Sequence, residues 1–354
     1  MKIGLVIHNK ANILSNGLTQ NAYFIYVCLK KCGYDVTFLC HELNPSPFPL
    51  HNIPIYSLND ANFPWASYNV IITCTRPLNN LHYEFVKKNS IKIISFICGN
   101  HLYVDCESFI SGKKQMDNFH CSKPIDCIWI IPSFFKSSSY YQLWDDVPIY
   151  SVPHLWCNEI ILYRSISLSG KTISDLQYRL KSDKKISIWS LESNLNACKT
   201  SLLACSVSEY LFENHKDKFM NLCITNKNKH IDLYSNNLKV PILNLKTYLE
   251  IDQIFVMMNE SNSFPIIVCH QFYTSLNYLY YEALSFGFPL VHNSNELKNY
   301  GYYYEDDDLF GCVEAVLRAY KTHNKTFQYI ELPHIDPYNK SVQCQFQDLL
   351  SKQL

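Results

Sequence analysis

Residues 3–40 read IGLVIHNKANILSNGLTQNAYFIYVCLKKCGYDVTFLC. IGLVIH (3–8) is an apolar run that suits a buried strand. LTQNAYFIYVCLKKC (18–32) has apolar residues at helical spacing, and Gly33 stands where that helix should stop. DVTFLC (35–40) is the next strand. These strands do not alternate apolar and polar residues. They are apolar almost throughout, as strands covered on both faces are. Such strands joined through a helix specify a parallel sheet, because parallel neighbours need a crossover.

The alternation continues outward from this unit. NVIITC (69–74), IKIISFIC (91–98) and DCIWII (126–131) are further strands, with helical patterns near 78–89 and 133–144. A second series opens with KISIWSL (185–191) and a helical pattern over 195–214. MNLCIT (220–225), VPILNL (240–245), PIIVCH (265–270) and PLVHN (289–293) follow as strands with helices between them. The expected architecture is α/β, with two Rossmann-like doubly wound domains facing a central cleft. The expected boundaries are 1–155 for the first domain, 156–184 for a polar linker and 185–335 for the second domain. Residues 336–354 are expected to hold a helix able to pack back on the first domain.

Composition narrows the class. Of 354 residues, 47% are hydrophobic and 18% charged, a globular and not a disordered balance. The 31 basic and 31 acidic residues leave no net charge, which argues against non-specific nucleic-acid binding. The 15 cysteines include no Cys-x-x-Cys pair, and many fall in apolar runs. Buried reduced thiols in a cytosolic protein are therefore expected. MKIGLVIHNK carries too short an apolar run for a signal peptide. No run approaches the ~20 apolar residues of a membrane span.

In doubly wound sheets, ligands bind at the loops that follow strands, where helix N-termini point outward. After 3–8, Asn16 can cap the next helix and Gly17 allows close approach to the backbone. A plain cap and the edge of a sugar or phosphate site are both open there. The loop lacks the GxGxxG pattern of dinucleotide-binding proteins. After 91–98, His101 is a candidate base or hydroxyl partner, or a solvated loop residue. After 185–191 come Glu192, Asn194 and Asn196, either Asn being a suitable N-cap. Lys199, in the first or second turn, could then reach a diphosphate. His270 and Gln271 end another strand, and Asn277 can cap the helix after it. Within that helix Glu282 lies roughly 110° from the centre of the apolar face at ~100° per residue, so solvent and ligand both remain open to it.

Glu282-Ala283-Leu284-Ser285-Phe286-Gly287-Phe288-Pro289-Leu290-Val291 resembles the Glu-Ala-x-x-x-Gly-x-Pro-Val element of GT-B glycosyltransferases, especially the family 4-like retaining group. Gly33-Tyr34-Asp35-Val36-Thr37 is similar to the end of their first helix. The chain also resembles a group of GT-B-like proteins from bacteria and large viruses. That likeness rests on Ser15-Asn16-Gly17 with Gln20-Asn21, Val152 to Trp156, Glu192 to Lys199, His270-Gln271, Leu276 to Tyr280, Pro289 to Ser294 and Gly301 to Tyr304.

The resemblance implies a nucleotide-sugar held mainly by the second domain. Glu282 would bind the donor ribose, and His292-Asn293-Ser294 would lie near the donor phosphates. Lys199 would stand near the leaving diphosphate, and His101 would match the cleft histidine of the first domain. Three positions depart from the family 4 pattern: Thr274 replaces a second Glu, Ser193 replaces a Pro, and no Arg lies between Glu192 and Lys199. The implied activity is transfer of a hexosyl or pentosyl group from a UDP-, GDP- or other nucleotide-sugar, in glycan biosynthesis, to a glycan, lipid-linked or protein acceptor. No cofactor is expected to be required. No metal is expected either, since GT-B enzymes do not usually need one and the scattered His lack ligand spacing. The implied setting is a bacterial or virus-infected host cytosol. A non-catalytic carbohydrate- or nucleotide-binding scaffold and a sugar-nucleotide epimerase are the alternatives.

Overall fold

The computed structural model describes residues 1–8, 16–74, 77–112, 124–194, 197–226, 236–245, 249–274, 277–323, 332 and 334–353. The chain divides into two units, Met1–Ile160 with Leu332–Leu354, and Ile161–Glu331.

The first unit is built on β1 (Lys2–Val6), β2 (Asp35–Cys40), β3 (Ile55–Ser57), β4 (Val70–Thr73), β5 (Lys92–Ile97), β6 (Cys127–Ile130) and β7 (Ile149–Ser151). They form one parallel sheet in the order β3-β2-β1-β4-β5-β6-β7. β1 is central: Leu5 pairs with Phe38 on one side and Ile72 on the other. Leu5, Phe38 and Ile72 are all fully buried, which is why these runs carry no polar alternation. Three helices that follow strands begin the same way. Asn16, Asn79 and Asn100 accept the backbone N–H of Thr19, His82 and Tyr103, three residues on. Helix Lys340–Ser351 belongs to this unit and packs on helix Gly17–Lys31. The Phe346 ring meets Trp129 edge-on at 5.6 Å.

The second unit has β8 (Ile186–Ser190), β9 (Phe219–Ile224), β10 (Ile242–Asn244), β11 (Phe264–Cys269), β12 (Leu290–His292) and β13 (Tyr302–Tyr303), all parallel, in the order β10-β9-β8-β11-β12-β13. Counted within the unit this is 3-2-1-4-5-6, the dinucleotide-fold order, which the first unit repeats with one strand added. Its core joins Ile188, Leu222, Ile266 and Val291 to Leu211 and Val316 from the covering helices. Burying each such side chain fully contributes about 1.5–3 kcal/mol.

Residues 161–184, read from the sequence as linker, are grouped with the second unit. Short helical turns cover Glu159–Leu162, Tyr163–Leu168 and Ile173–Leu176. Tyr178 anchors the segment: its N–H donates to the Phe286 carbonyl at 2.8 Å, and its ring lies edge-on to Phe288 at 5.5 Å. The polar composition hid these few apolar anchors.

Candidate functional site

The strand order of the second sheet reverses between β8 and β11. The loops that follow those two strands therefore lead away in opposite senses, and a ligand crevice forms there in such sheets. Lys199 and Gln271 form an isolated antiparallel bridge between the two loops. The Phe272 N–H donates to the Cys198 carbonyl at 3.1 Å, extending that link. Lys199 is thus a loop residue and not in the first turns of a helix, as its sequence suggested. The helix begins later, at Leu202.

Asn194 explains the delay. It adopts a left-handed φ of 53° and so cannot be the expected N-cap, which needs extended backbone. Its Oδ1 instead accepts the Ser201 N–H at 2.7 Å, while its Nδ2 donates to Ser201 Oγ and to the Glu192 carbonyl at 3.0 Å each. One short side chain thereby closes the whole loop. The Ser201 side chain makes no cap bond, so the start of helix Leu202–Asn214 carries no side-chain cap from that residue. Asn196 lies outside the described residues.

Glu192 is 1% exposed. No nitrogen or oxygen partner reaches either carboxylate oxygen among the described residues; the Cys269 thiol stands beside it. Burial pushes its carboxyl up to about 7; Lys199 and the Cys269 thiol beside it pull the other way, but less strongly. Near neutral pH this group is poised between acid and carboxylate.

The neighbouring loops clamp one another. Asn293 accepts the Gln271 N–H and donates to the Gln271 carbonyl, both at 3.1 Å, as another strand would. Gln271 is buried, its Oε1 accepts from the Thr274 hydroxyl at 2.7 Å, and its Nε2 has no partner among the described residues. Ser294 is 1% exposed, and its Oγ likewise lacks a partner among them. His292 is fully buried; its Nδ1 accepts the Ser294 N–H at 3.1 Å and its Nε2 donates to the Tyr300 carbonyl at 2.8 Å. Burial lowers its pKa to about 4, so it is a neutral brace that leaves no ring nitrogen for a phosphate. Gly301, φ 61°, makes this brace possible, since a Cβ there would lie 2.8 Å from the Leu290 carbonyl oxygen. His270 Nδ1 lies 2.7 Å from the Tyr304 hydroxyl and its Nε2 3.2 Å from Asp307. Burial brings His270 down to about 4, against the pull of Asp307.

Helix Tyr278–Ser285 starts at Asn277, whose side chain accepts the Leu279 N–H at 3.4 Å. The helix is buried on all sides, including Glu282. The wheel position that left Glu282 open to solvent or ligand therefore faces mostly protein, with 9% of the residue exposed. Burial lifts its carboxyl to about 7, opposed by Arg164 and reinforced by Asp252 and Glu250. Arg164 is 4% exposed and bonds both acids. Sequence reasoning missed Arg164, Glu250 and Asp252, because the Arg stands far along the chain from all three carboxylates. The signal available was an Arg within an otherwise apolar-spaced helical turn.

In the first unit Asn16 and Asn100 are caps, and Gly17 is the first residue of its helix. His101 opens the helix after β5, partly exposed, its ring edge-on to Tyr141 at 5.9 Å. Among the described residues, no group of three or more His, Cys, Asp or Glu is placed to hold a metal ion, and no helix is long and apolar enough to cross a membrane.

The fold has solved counterparts. Anabaena HepE in complex with UDP-glucose matches at a TM-score of 0.58 and 10% identity, over 99% of this chain and 100% of that one. A DNA-modifying β-glucosyltransferase, solved with and without uridine diphosphoglucose, matches at 0.56 and 11%, over 100% and 99%. The lipopolysaccharide outer core galactosyltransferase WaaB, in its apo form, matches at 0.55 and 13%, over all of both chains. At such identities the likeness establishes the fold, which is that of the GT-B glycosyltransferases. The chain belongs to the family described as "Protein of unknown function (DUF2827)", whose model matches residues 2–335. No curated protein matches the sequence.

Proposed function

We propose that this protein is a glycosyltransferase that takes a sugar from a nucleotide-diphosphate sugar held by the second unit. The observation that carries the proposal is the set of buried polar atoms without a nitrogen or oxygen partner among the described residues, at the switch point of a GT-B second sheet: the Glu192 carboxylate, Gln271 Nε2 and Ser294 Oγ. Buried polar atoms are normally satisfied, and those left open at a ligand crevice suit a polar ligand.

In this reading Lys199 and the positive end of the helix Leu202–Asn214 dipole stabilise charge growing on the leaving diphosphate. A charged hydrogen bond from Lys199 would contribute about 1.5–3 kcal/mol. Glu282 accepts the donor ribose hydroxyls. Asn277, Asn293 and His292 act by holding loops in place. The first unit supplies the acceptor side, with Asn16, Gly17 and His101 at its strand ends. The relatives solved with UDP-glucose make a UDP-sugar the first donor to try. Transfer without a metal and a cytosolic setting, which suits the free thiols of the described cysteines, belong to the same proposal.

A thermal-shift screen against UDP-, GDP-, ADP- and dTDP-sugars tests donor binding, because a ligand of the folded state raises its melting temperature. One nucleotide class is expected to stand out, and Glu282→Ala should weaken its binding at least tenfold. Unchanged affinity in that variant would overturn the ribose assignment. Tight binding with no release of nucleoside diphosphate across acceptors would favour the non-catalytic reading, for which Thr274 in the place of a second acid speaks.

A further inference from the structure

Just after β11, a buried imidazole of the second unit meets an exposed carboxylate. His270 is buried, its ring edge-on to Phe272 at 4.5 Å and stacked on Tyr304 at 5.9 Å. Its Nδ1 lies 2.7 Å from the Tyr304 hydroxyl. Its Nε2 lies 3.2 Å from Oδ1 of Asp307, whose side chain is 73% exposed. Asn293 holds the chain on both sides of this contact. Its Nδ2 donates to the carbonyl of Gln271, the residue after His270, at 3.1 Å. It also donates to the carbonyl of Asp306, the residue before Asp307, at 3.4 Å. Asp307 stands in the turn Glu305–Asp308, closed by the Asp308 N–H donating to the Glu305 carbonyl at 3.0 Å.

The geometry places the ring hydrogen. Two lone-pair acceptors 3.2 Å apart would repel, so Nε2, facing a carboxylate oxygen, carries the proton. Nδ1 is then the acceptor, and the Tyr304 hydroxyl donates to it. The buried Nε2–H still makes no well-aligned hydrogen bond among the described residues: Asp307 is near it but out of line. A buried donor left in that state is costly and calls for an explanation. Asp307 is also weakly held, because water screens a carboxylate so exposed. Such a contact covers the donor without satisfying it.

We propose that His270 Nε2 is the fixed donor of a subsite for an anionic oxygen, and that Asp307 is a cover which the ligand displaces. The chemistry of the ligand follows from the contact. Nε2–H offers a hydrogen and no lone pair, and the group it already attracts is a carboxylate, so the incoming group is an oxyanion. Two anions on one N–H repel each other, so the ligand replaces Asp307 and does not join it. The first source of that oxyanion is the diphosphate of a nucleotide-sugar, which rests on the donor-binding reading above. The carboxylate of a uronyl sugar has the same chemistry.

Isothermal titration of the full chain with inorganic pyrophosphate, UDP, UDP-glucose and UDP-glucuronate tests this. Asp307→Ala should bind its ligand about threefold or more tightly than wild type, since the site no longer has to be uncovered. Adding His270→Asn should abolish that gain. A gain shared by pyrophosphate and UDP assigns the oxyanion to phosphate; one confined to UDP-glucuronate assigns it to the sugar carboxylate. No gain for any ligand overturns the proposal. So does an equal gain in the His270→Asn background, which would mean that Asp307 acts only through its charge. If His270→Asn does not fold, NMR of 15N-histidine-labelled protein decides. The ring signal that Asp307→Ala moves should move in wild type with the ligand that gained; an unmoved signal overturns the proposal. Pyrophosphate carries neither ribose nor sugar, so a His270-dependent gain for it without any nucleotide binding keeps the subsite and removes the donor reading. Nucleotide binding that ignores both His270 and Asp307 keeps the donor reading and overturns the subsite.

Discussion

The two units share a strand order but treat their strand ends differently. In the first unit, Asn16, Asn79 and Asn100 each cap the helix that follows their strand. Each of these caps is local, within three residues, although longer bonds also reach these ends: His41 Nε2 lies 3.0 Å from the Pro77 carbonyl, and the Tyr141 hydroxyl donates to the Gly99 carbonyl at 3.4 Å. In the second unit the loops satisfy one another. Asn194 holds Ser201, Lys199 bridges Gln271, Asn293 clamps Gln271, and His292 braces Ser294 and Tyr300. Non-glycine residues with left-handed backbone follow strands in both units, Asn44 in the first and Asn194, Asn226, Tyr273 and Asp306 in the second. Such conformations persist where the surroundings over-determine them, and they cluster at functional sites. The lesson is that the same fold can cap three helices locally at one set of strand ends and, at another, close its switch-point loops on one another.

Substitutions can break this comparison, and hydrogen exchange resolved by unit reads each effect. The largest is expected for Asn194→Ala. It removes a set of bonds that close one loop and leaves an alanine at positive φ, so the second unit should lose about 4 kcal/mol. A loss no greater than that of an Asn cap would mean the loops are not interlocked.

Glu192→Gln should act next, with a sign set by pH. The Glu192 carboxyl stands at about 7 in the folded protein against an ordinary 4.5. The folded state therefore holds its proton more tightly, and stability from the neutral acid, full below pH 4.5, is lost as pH rises through 7. The glutamine should stabilise the second unit at pH 8 by at most about 3 kcal/mol and by almost nothing at pH 4. An equal effect at both pH values would show that the carboxyl is not held neutral by burial. His292 has the opposite sign. Lowered from 6.5 to about 4, it contributes stability above pH 6.5 that is lost as pH falls towards 4.

Gly301→Ala tests the His292 brace. Positive φ and contact with the Leu290 carbonyl should cost the second unit about 2 kcal/mol. A neutral result would mean that the Tyr300–Gly301 turn yields freely. The smallest effect is expected for Asn100→Ala, about 1 kcal/mol confined to the first unit, as for an ordinary cap. Protection lost beyond helix His101–Ser111 would show that this edge is interlocked too.

Much of the fold was legible. IGLVIH, DVTFLC, IKIISFIC and PIIVCH are apolar throughout because both faces of each strand are covered, and the observed strands lie within or beside those runs. The short edge strands β3, β7 and β13 were not read, since an edge strand of two or three residues leaves too little periodicity to see. The site was legible as a set of loops. Their internal geometry was not. Asn194 looked like a cap, and only the backbone at φ 53° made it a loop clasp. His292 looked like a phosphate ligand by resemblance, and its two internal hydrogen bonds occupy it otherwise.

By itself, then, the sequence determined the two parallel sheets, the approximate strand and helix positions, and which loops gather at the strand ends, because hydrophobic periodicity and turn residues act over short distances. The tertiary structure alone decided that Glu282 is mostly buried, that Arg164 reaches Asp252 and Glu250, and that Lys199 joins the β8 loop to the β11 loop. Burial and charge depend on which distant segments fold together, and no local spacing along the chain carries that information.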